Sequence, residues 1–160
     1  YAPLSAGEVT LAVILSSVTR SLIIASISIV IFYLIIDLKI ENIINFIIFT
    51  LLSSFALGAT GMIAGLWAEK FDHMATITNF VIIPLSFLSG TFYTIDRLPS
   101  FLQVVSKVNP FFYMIDGFRY SFIEKSDSSI SVGIIYLFCL CLILWLISFS
   151  LFKNGYKLKS

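Results

Sequence analysis

The side chains able to support catalysis or bind a metal are few and far apart along this sequence. His73 is the only histidine and stands beside Asp72, with no cysteine or second histidine near enough to complete a usual metal ligand set. Cys139 and Cys141 lie two positions apart in an apolar run, so on a helix they point to different faces and cannot pair with each other. The sequence also lacks the glycine-rich phosphate loop and the common hydrolase motifs. We therefore predict that the chain is not an enzyme and holds no cofactor or metal.

The charged residues fit a structural role in a membrane better than a catalytic one. Asp116 and Arg119 are three positions apart, a spacing that puts both on one face of a helix and predicts an ion pair. Arg20 stands inside a long apolar stretch, where a charge is costly unless the side chain reaches the membrane surface or faces protein. We expect Arg20 to be an interfacial charge near a membrane surface, or to lie against a partner helix.

The composition of the chain is that of a membrane protein. Of its 160 residues, 59% are hydrophobic and 12% are charged, and the mean hydropathy is +1.02. Soluble domains average roughly 45–50% apolar and about 25% charged residues. A net charge of +1 without a basic stripe excludes nucleic acid as a partner. Membrane lipid is therefore the first partner that the sequence predicts.

Four stretches are long enough to cross the hydrocarbon layer of a bilayer, which takes an apolar helix of about 20 residues. They cover residues 11–36, 43–67, 74–94 and 130–152. The predicted fold is therefore all-α, a single polytopic helical membrane domain over residues 1–160 with four transmembrane helices. Pro84 predicts a bend in the third span. Gly58, Gly61 and Gly65 predict close helix packing along the second span.

Residues 95–129 are too aromatic for an ordinary solvated loop. The helical spacing of their apolar residues predicts two short helices, at 99–108 and 111–122. A break between them is expected at Asn109-Pro110, because a residue that precedes proline disfavours helical backbone. We expect both helices to be re-entrant in the outer leaflet of the membrane.

The distribution of Lys and Arg predicts the orientation of the chain. The positive-inside rule gives most weight to short flanks near the membrane ends. With the segment 95–129 set aside, five basic residues share a side with the C-terminal tail and one lies on the other side. We predict a cytoplasmic C-terminus, a cytoplasmic loop 68–73 and an outward-facing loop 37–42.

A longer pattern in the second half of the chain resembles a known family. The run from Pro84 to Tyr93 reads PLSFLSGTFY, and it is followed by Leu98-Pro99, Asn109-Pro110, Tyr113, Asp116-Gly117 and Arg119-Tyr120. This pattern resembles the signature region of ABC-2 type exporter permeases, and the resemblance covers essentially all of the chain. It implies that a re-entrant structure is built by Pro84, Gly90, Pro99, Asn109, Pro110, Asp116 and Arg119. Family members have six spans, so these four would be the last four, and a chain that begins at Tyr1 is expected to be a fragment.

The resemblance also implies a function. The chain would be a permease subunit of an ATP-driven exporter in a bacterial inner membrane, would form the substrate pathway, and would pair with a second permease as a homodimer or heterodimer. ATP hydrolysis would belong to a separate ABC ATPase subunit, which couples through the residues Leu4, Ser5, Glu8, Glu69, Lys70 and Asp72. A small channel or pore that needs no ATPase, or an intramembrane enzyme, is the alternative. Lipids, glycans and drugs are all compatible as substrates.

Overall fold

The structure, a computed structural model of the chain, describes residues 5–68, 71–91 and 99–154. Nearly all of these residues are helical, and no β-strand occurs among them. In chain order the helices are α1 (Ala6–Ile36), α2 (Ile43–Trp67), α3 (Phe71–Ile77), a π-helical turn (Thr78–Ile82), α4 (Ile83–Phe87), α5 (Ser100–Val108), α6 (Pro110–Ile123) and α7 (Ile130–Lys153). The predicted class, an all-α polytopic membrane protein, is confirmed.

Three of the described helices, α1, α2 and α7, are long and apolar enough to cross a membrane. The bounds of α2 are those predicted, and α7 ends one residue later than predicted. Helix α1 has 31 residues and begins before the predicted start at residue 11. It begins there because Ser5 and Glu8 form a capping box, in which the Glu8 N–H donates to Ser5 Oγ at 3.3 Å and the Ser5 N–H donates to the Glu8 carboxylate at 2.7 Å.

The third predicted span, 74–94, differs in detail from a regular helix. Helical backbone runs from α3 through the π-helical turn into α4 and ends at Phe87. The π-helical turn ends at Ile82, and the Ile83 N–H donates to Thr78 O. Pro84 follows as the second residue of α4. In the turn after α4, Gly90 adopts φ 78°, a left-handed conformation that glycine accepts without strain. The predicted residues 92–94 lie outside the described part, so a fourth span stays a prediction.

Helix α2 is the centre of the bundle and contacts α1, α6 and α7. Helix α7 runs parallel to α2. Cys141 Sγ donates to Leu52 O at 3.3 Å and Ser148 Oγ donates to Ala59 O at 3.4 Å, so the contacts advance in the same direction along both helices. Helix α1 runs antiparallel to α2, to which a short connection joins it. The buried core between α2, α6 and α7 consists of Phe49, Ala56, Phe112, Tyr113, Met114, Leu137 and Cys141.

The two ends of the bundle can be told apart by their contacts. At one end the start of α1 meets the end of α7, since a Cβ at Gly7 would lie 3.7 Å from the Phe149 ring. At the other end the N–H groups of Glu41 and Asn42, between α1 and α2, donate to Ser121 O in α6 at 3.0 and 3.1 Å. The loop 37–42 and the end of α6 therefore share one end of the bundle, and the outward orientation of that end stays a prediction.

The outer surfaces of α1 and α7 are strongly apolar. Large side chains such as Ile24, Leu34 and Ile35 on α1 and Ile135 and Leu146 on α7 are more than half exposed. A surface this apolar is stable when lipid tails cover it, and helices suit that environment because their backbone groups are satisfied internally.

Candidate functional site

The described residues of the predicted signature region converge on the end of α4 and the turn that follows it. Asn109 Nδ2 donates to Leu85 O at 2.6 Å, and Ser106 Oγ donates to Leu88 O at 2.9 Å. Arg119 Nη2 donates to Gly90 O. Carbonyls at a helix end lack partners within the helix, and here side chains from α5, the α5–α6 junction and α6 supply them. We call this set of contacts the signature network.

The break between α5 and α6 is built around Asn109. Its Oδ1 accepts from the Phe111 N–H at 3.0 Å and caps α6, while its Nδ2 reaches Leu85 O. Pro110 occupies the first position of α6, where a missing N–H costs nothing. Pro99 precedes α5, and its carbonyl accepts from the Gln103 N–H at 3.1 Å. The two helices and the break occur where the sequence predicts them, and their depth in a membrane stays a prediction.

Asp116 is linked to the signature network through Arg119, and it is 1% exposed. Its Oδ1 accepts from the Asp127 N–H at 2.7 Å, and its Oδ2 accepts from the N–H and the hydroxyl of Ser128 at 3.0 and 2.8 Å. Arg119 Nη1 lies 3.8 Å from Asp116 Oδ1 but 2.8 Å from Asp127 Oδ2. The predicted pair is therefore a long contact, and the loop before α7 provides the shorter ones for both residues.

Close helix approach occurs at glycines that the packing pattern of α2 only partly predicts. A Cβ at Gly58 would lie 2.0 Å from Ser17 Oγ in α1. At Gly61 and Gly65 a Cβ would meet no described atom within 4 Å. The tightest other approach is at Gly117 in α6, where a Cβ would lie 2.2 Å from the Phe49 ring of α2. Within the described chain, helix packing is thus served by Gly58 and Gly117.

Several residues of the signature network were not singled out from the sequence. Ser106, Asp127 and Ser128 contact residues that lie 8 to 18 positions away in the sequence. The ring of Phe49 leaves no room for a Cβ at residue 117. A polar cluster directly before the last span was the one available signal for Asp127 and Ser128.

Arg20 lies one residue before the midpoint of α1, with an exposed side chain. About fourteen residues separate it from either helix end, which is roughly 21 Å at 1.5 Å per residue. An arginine side chain is far shorter than this distance. Helix α1 is about 46 Å long, however, and exceeds a hydrocarbon layer of about 30 Å, so its ends do not mark the membrane surfaces. Both expected positions of Arg20, near a membrane surface or against a partner helix, therefore stay predictions.

The residues proposed for coupling are only partly described. Ser5 and Glu8 form the capping box of α1, so both already have a structural role. Asp72 is exposed in the first turn of α3, and the neighbouring His73 ring lies 5.6 Å from the Trp67 ring. Leu4, Glu69 and Lys70 lie outside the described residues. Among residues 5–68, 71–91 and 99–154 no three His, Cys, Asp or Glu side chains come together as metal ligands would.

Comparison of the sequence with known proteins finds similarity to transport permeases. The sequence profile of the ABC-2 type transporter family matches residues 1–123. The inner membrane transport permease YadH of Escherichia coli K12 is 35% identical over 111 residues, which are 68% of this chain and 43% of the relative. Nodulation protein J of Rhizobium leguminosarum bv. trifolii is 31% identical over 68 residues, which are 42% of this chain and 26% of the relative. The match thus spans less than half of these relatives, and no solved structure matches the chain.

Proposed function

The chain belongs to the ABC-2 type transporter family, and from this membership we propose that it is part of the permease subunit of an ATP-driven exporter. It forms the substrate pathway together with a second permease, identical or different, and it couples to a separate ABC ATPase subunit. The observation that carries the proposal is the family match over residues 1–123, which includes the signature residues from Pro84 to Arg119. The contacts among those residues support it, because they form one connected network.

The proposed orientation has the C-terminus in the cytoplasm of a bacterial cell and the signature network near the outer surface. In support, the start of α1 and the end of α7 share one end of the bundle. Lys153 lies at that end, and the segment after α7 contains Lys157 and Lys159. The loop 37–42 shares the opposite end with α6. Basic residues favour the cytoplasmic side, so the lysine-bearing end is assigned to it.

The proposed coupling surface is the cytoplasmic end of the bundle. Closure of an ATPase pair can drive transport only if it changes the relative stability of two membrane states. Glu8 lies in the first turn of α1, a helix of 31 residues that runs without a break to the loop 37–42, whose Glu41 and Asn42 N–H groups donate to Ser121 O of α6. A displacement at Glu8 can therefore be carried as a rigid-body movement of α1 to the opposite end, where the signature network lies.

The experiment that tests this function is reconstitution of the full-length permease with the ABC ATPase that is proposed as its partner. We expect the two proteins to co-purify, and the ATPase to hydrolyse ATP faster when it is bound to the permease in proteoliposomes. The permease alone should show no ion conductance in a planar bilayer. Conductance without the ATPase would favour the alternative of a channel, and failure of the two proteins to associate would contradict the proposal.

A further inference from the structure

A groove of about 420 Å³, lined by both apolar and polar side chains, runs between α1 and α2. It is lined by residues 13–21 of α1 and 54–62 of α2, so it follows the two helix axes for more than two turns. Its lining includes Gly58 and Gly61, and its polar side chains are Ser16, Ser17, Arg20, Ser21 and Ser54. This polar lining contrasts with the apolar outer surface of the rest of α1.

The groove reaches from the middle of both helices toward the start of α1 and the end of α2. Ser21 is the central residue of α1, and Ser54 lies one residue before the centre of α2. Ser17 faces Gly58, so the two helix centres are at nearly the same level. If α1 and α2 cross a membrane with their centres near its middle, Arg20 is at mid-depth, where a charged side chain is costly without a partner of opposite charge.

Residues 5–68, 71–91 and 99–154 provide no such partner. No carboxylate among them forms an ion pair with Arg20. Helices α2 and α7 contain no Asp or Glu, and the one acid of α1, Glu8, lies about 18 Å away along the helix axis. The absence of an acidic partner for Arg20 among the described spans therefore follows from their sequences and not from the rotamer of Arg20.

Hydrogen-bond donors also remain unused in the groove. Ser54 is 9% exposed, and neither its hydroxyl nor that of Ser21 has a hydrogen-bond partner among the described residues. In contrast, Ser16 and Ser17 donate to carbonyls of α1 at 2.8 and 2.7 Å. The guanidinium and two hydroxyls thus line one groove as unpaired donors, an arrangement that suits a carboxylate.

We propose that this groove seats a further transmembrane helix, which carries an aspartate or glutamate at mid-depth, and that this carboxylate pairs with Arg20. The shape of the groove favours a helix over a compact ligand, because the groove is linear. Gly61 and Gly65 lie one turn apart on α2, and a Cβ at either would meet no described atom within 4 Å. Their surface leaves room for the backbone of another helix to approach closely.

Neither a second copy of the described spans nor a lipid fits as well. Two copies packed groove to groove would bring Arg20 against Arg20, and neither α1, α2 nor α7 offers an acid at that depth. The phosphate of a lipid lies about 15 Å from the middle of a 30 Å hydrocarbon core. The helix therefore comes from a part of the permease outside the described residues, and the relative YadH is more than twice as long as the matched region.

Charge exchange in the full-length permease tests the proposal. Arg20→Gln and Arg20→Glu should each reduce the yield of folded, detergent-extracted permease at least fivefold, whereas Arg20→Lys should keep more than half of it. Lys39→Gln, which removes an exposed loop cation, is the matched control and should change nothing. Each Asp or Glu within the other apolar stretches is then changed to Lys in the Arg20→Glu background. One such exchange should restore the folded yield, which a merely misfolding variant would not allow. A wild-type yield for Arg20→Gln, or failure of every exchange, would overturn the proposal.

Photo-crosslinking identifies the occupant directly. Benzoylphenylalanine replaces Leu57 at the groove, or Leu146 on the outer face of α7 as a control, since the two side chains are 41% and 56% exposed. From position 57 we expect a crosslink to an apolar peptide that contains Asp or Glu and lies outside residues 1–160, and from position 146 crosslinks to lipid. Crosslinks from position 57 only to lipid, or only to residues 1–160 of a second copy, would reject the proposed helix.

Discussion

The main-chain N–H of Asp127 donates to the buried carboxylate of Asp116 at 2.7 Å. The side chain of Asp127 in turn accepts from Arg119, which also lies near Asp116. Two carboxylates thus share one guanidinium, and the more buried of them is additionally held by main-chain donors. The loop before α7 is thereby fixed to α6, and through Arg119 and Gly90 to the end of α4.

Asp116→Ala is expected to destabilise the permease more than Asp127→Ala. The first change leaves two main-chain N–H groups without an acceptor in a buried place and should cost about 1–3 kcal/mol. The second removes a partly exposed ion pair and should cost less than about 1 kcal/mol. Denaturant unfolding in detergent measures both. Exchanging the charges of Asp116 and Arg119 should not restore stability, because an arginine cannot accept from the N–H groups of Asp127 and Ser128. Full restoration by that exchange would contradict the observed contacts.

Asn109→Asp should destabilise the junction of α5 and α6. The new carboxylate still caps α6, but it loses the donor to Leu85 O and places an oxygen against that carbonyl, at a cost of about 1–3 kcal/mol. Asn42→Asp is the matched control, because Asn42 also caps a helix and accepts from the Asn45 N–H at 3.1 Å. It should be neutral or slightly stabilising, since a negative charge favours a helix N-terminus. Equal thermal midpoints for the two variants would refute the role of the Leu85 contact.

Gly117→Ala should disrupt the packing of α6 on α2. The added methyl would overlap the Phe49 ring, and overpacking of this kind costs about 1–3 kcal/mol. At Gly133 the same change meets the Tyr113 ring at 3.5 Å, an ordinary contact, so Gly133→Ala should be tolerated. Phe49→Leu combined with Gly117→Ala should recover part of the loss, as measured by thermal unfolding. Additive losses would show that the methyl does not act through Phe49.

Cysteine labelling tests the orientation. Single cysteines replace Lys39, Ser126 or Asn154, all exposed, in a background where Cys139 and Cys141 are replaced. An impermeant maleimide added to intact cells should label positions 39 and 126 but not 154 if the lysine-bearing end is cytoplasmic, as we propose. Position 154 should become reactive once the cells are opened. Labelling of 154 alone in intact cells would invert the topology.

Glu8 allows the coupling role to be separated from the capping role. Glutamine preserves the capping box and removes the charge, whereas alanine removes both. If Glu8 contacts the ATPase, Glu8→Gln should leave folding intact and lower transport per ATP hydrolysed in proteoliposomes. Lys70 and Asp72, replaced together, test the second surface in the same assay. Unchanged coupling in Glu8→Gln and in the Lys70/Asp72 variant would leave Glu8 with a capping role alone.

Features that depend on short stretches of sequence were predicted well. Helices α2 and α7 follow from the length of their apolar runs, and the break at Asn109 follows from the proline after it. These signals are local, because helix length and the effect of proline are set by a few neighbouring residues.

Features that depend on packing were predicted poorly. The ion pair of Arg119 with Asp116 occurs at 3.8 Å as its spacing predicts, but the shorter contact of Arg119, at 2.8 Å to Asp127 beyond the end of α6, was not predicted. The open surface at Gly61 could not be distinguished from the packed one at Gly58, because both show the same spacing of small residues. Which face of a helix meets a neighbour is decided by the arrangement of several helices together.

The carbonyl of Ser121, which accepts from the N–H groups of Glu41 and Asn42, also sets an order for biogenesis. The ribosome completes the α1–α2 hairpin well before it reaches α6. Until then these two N–H groups need water, since unpaired polar groups of the backbone are costly in lipid. The hairpin can therefore enter the membrane early only with its connection exposed to water. When α6 is synthesised, its Ser121 carbonyl replaces that water, so the connection of the hairpin is closed by a segment that is made after it.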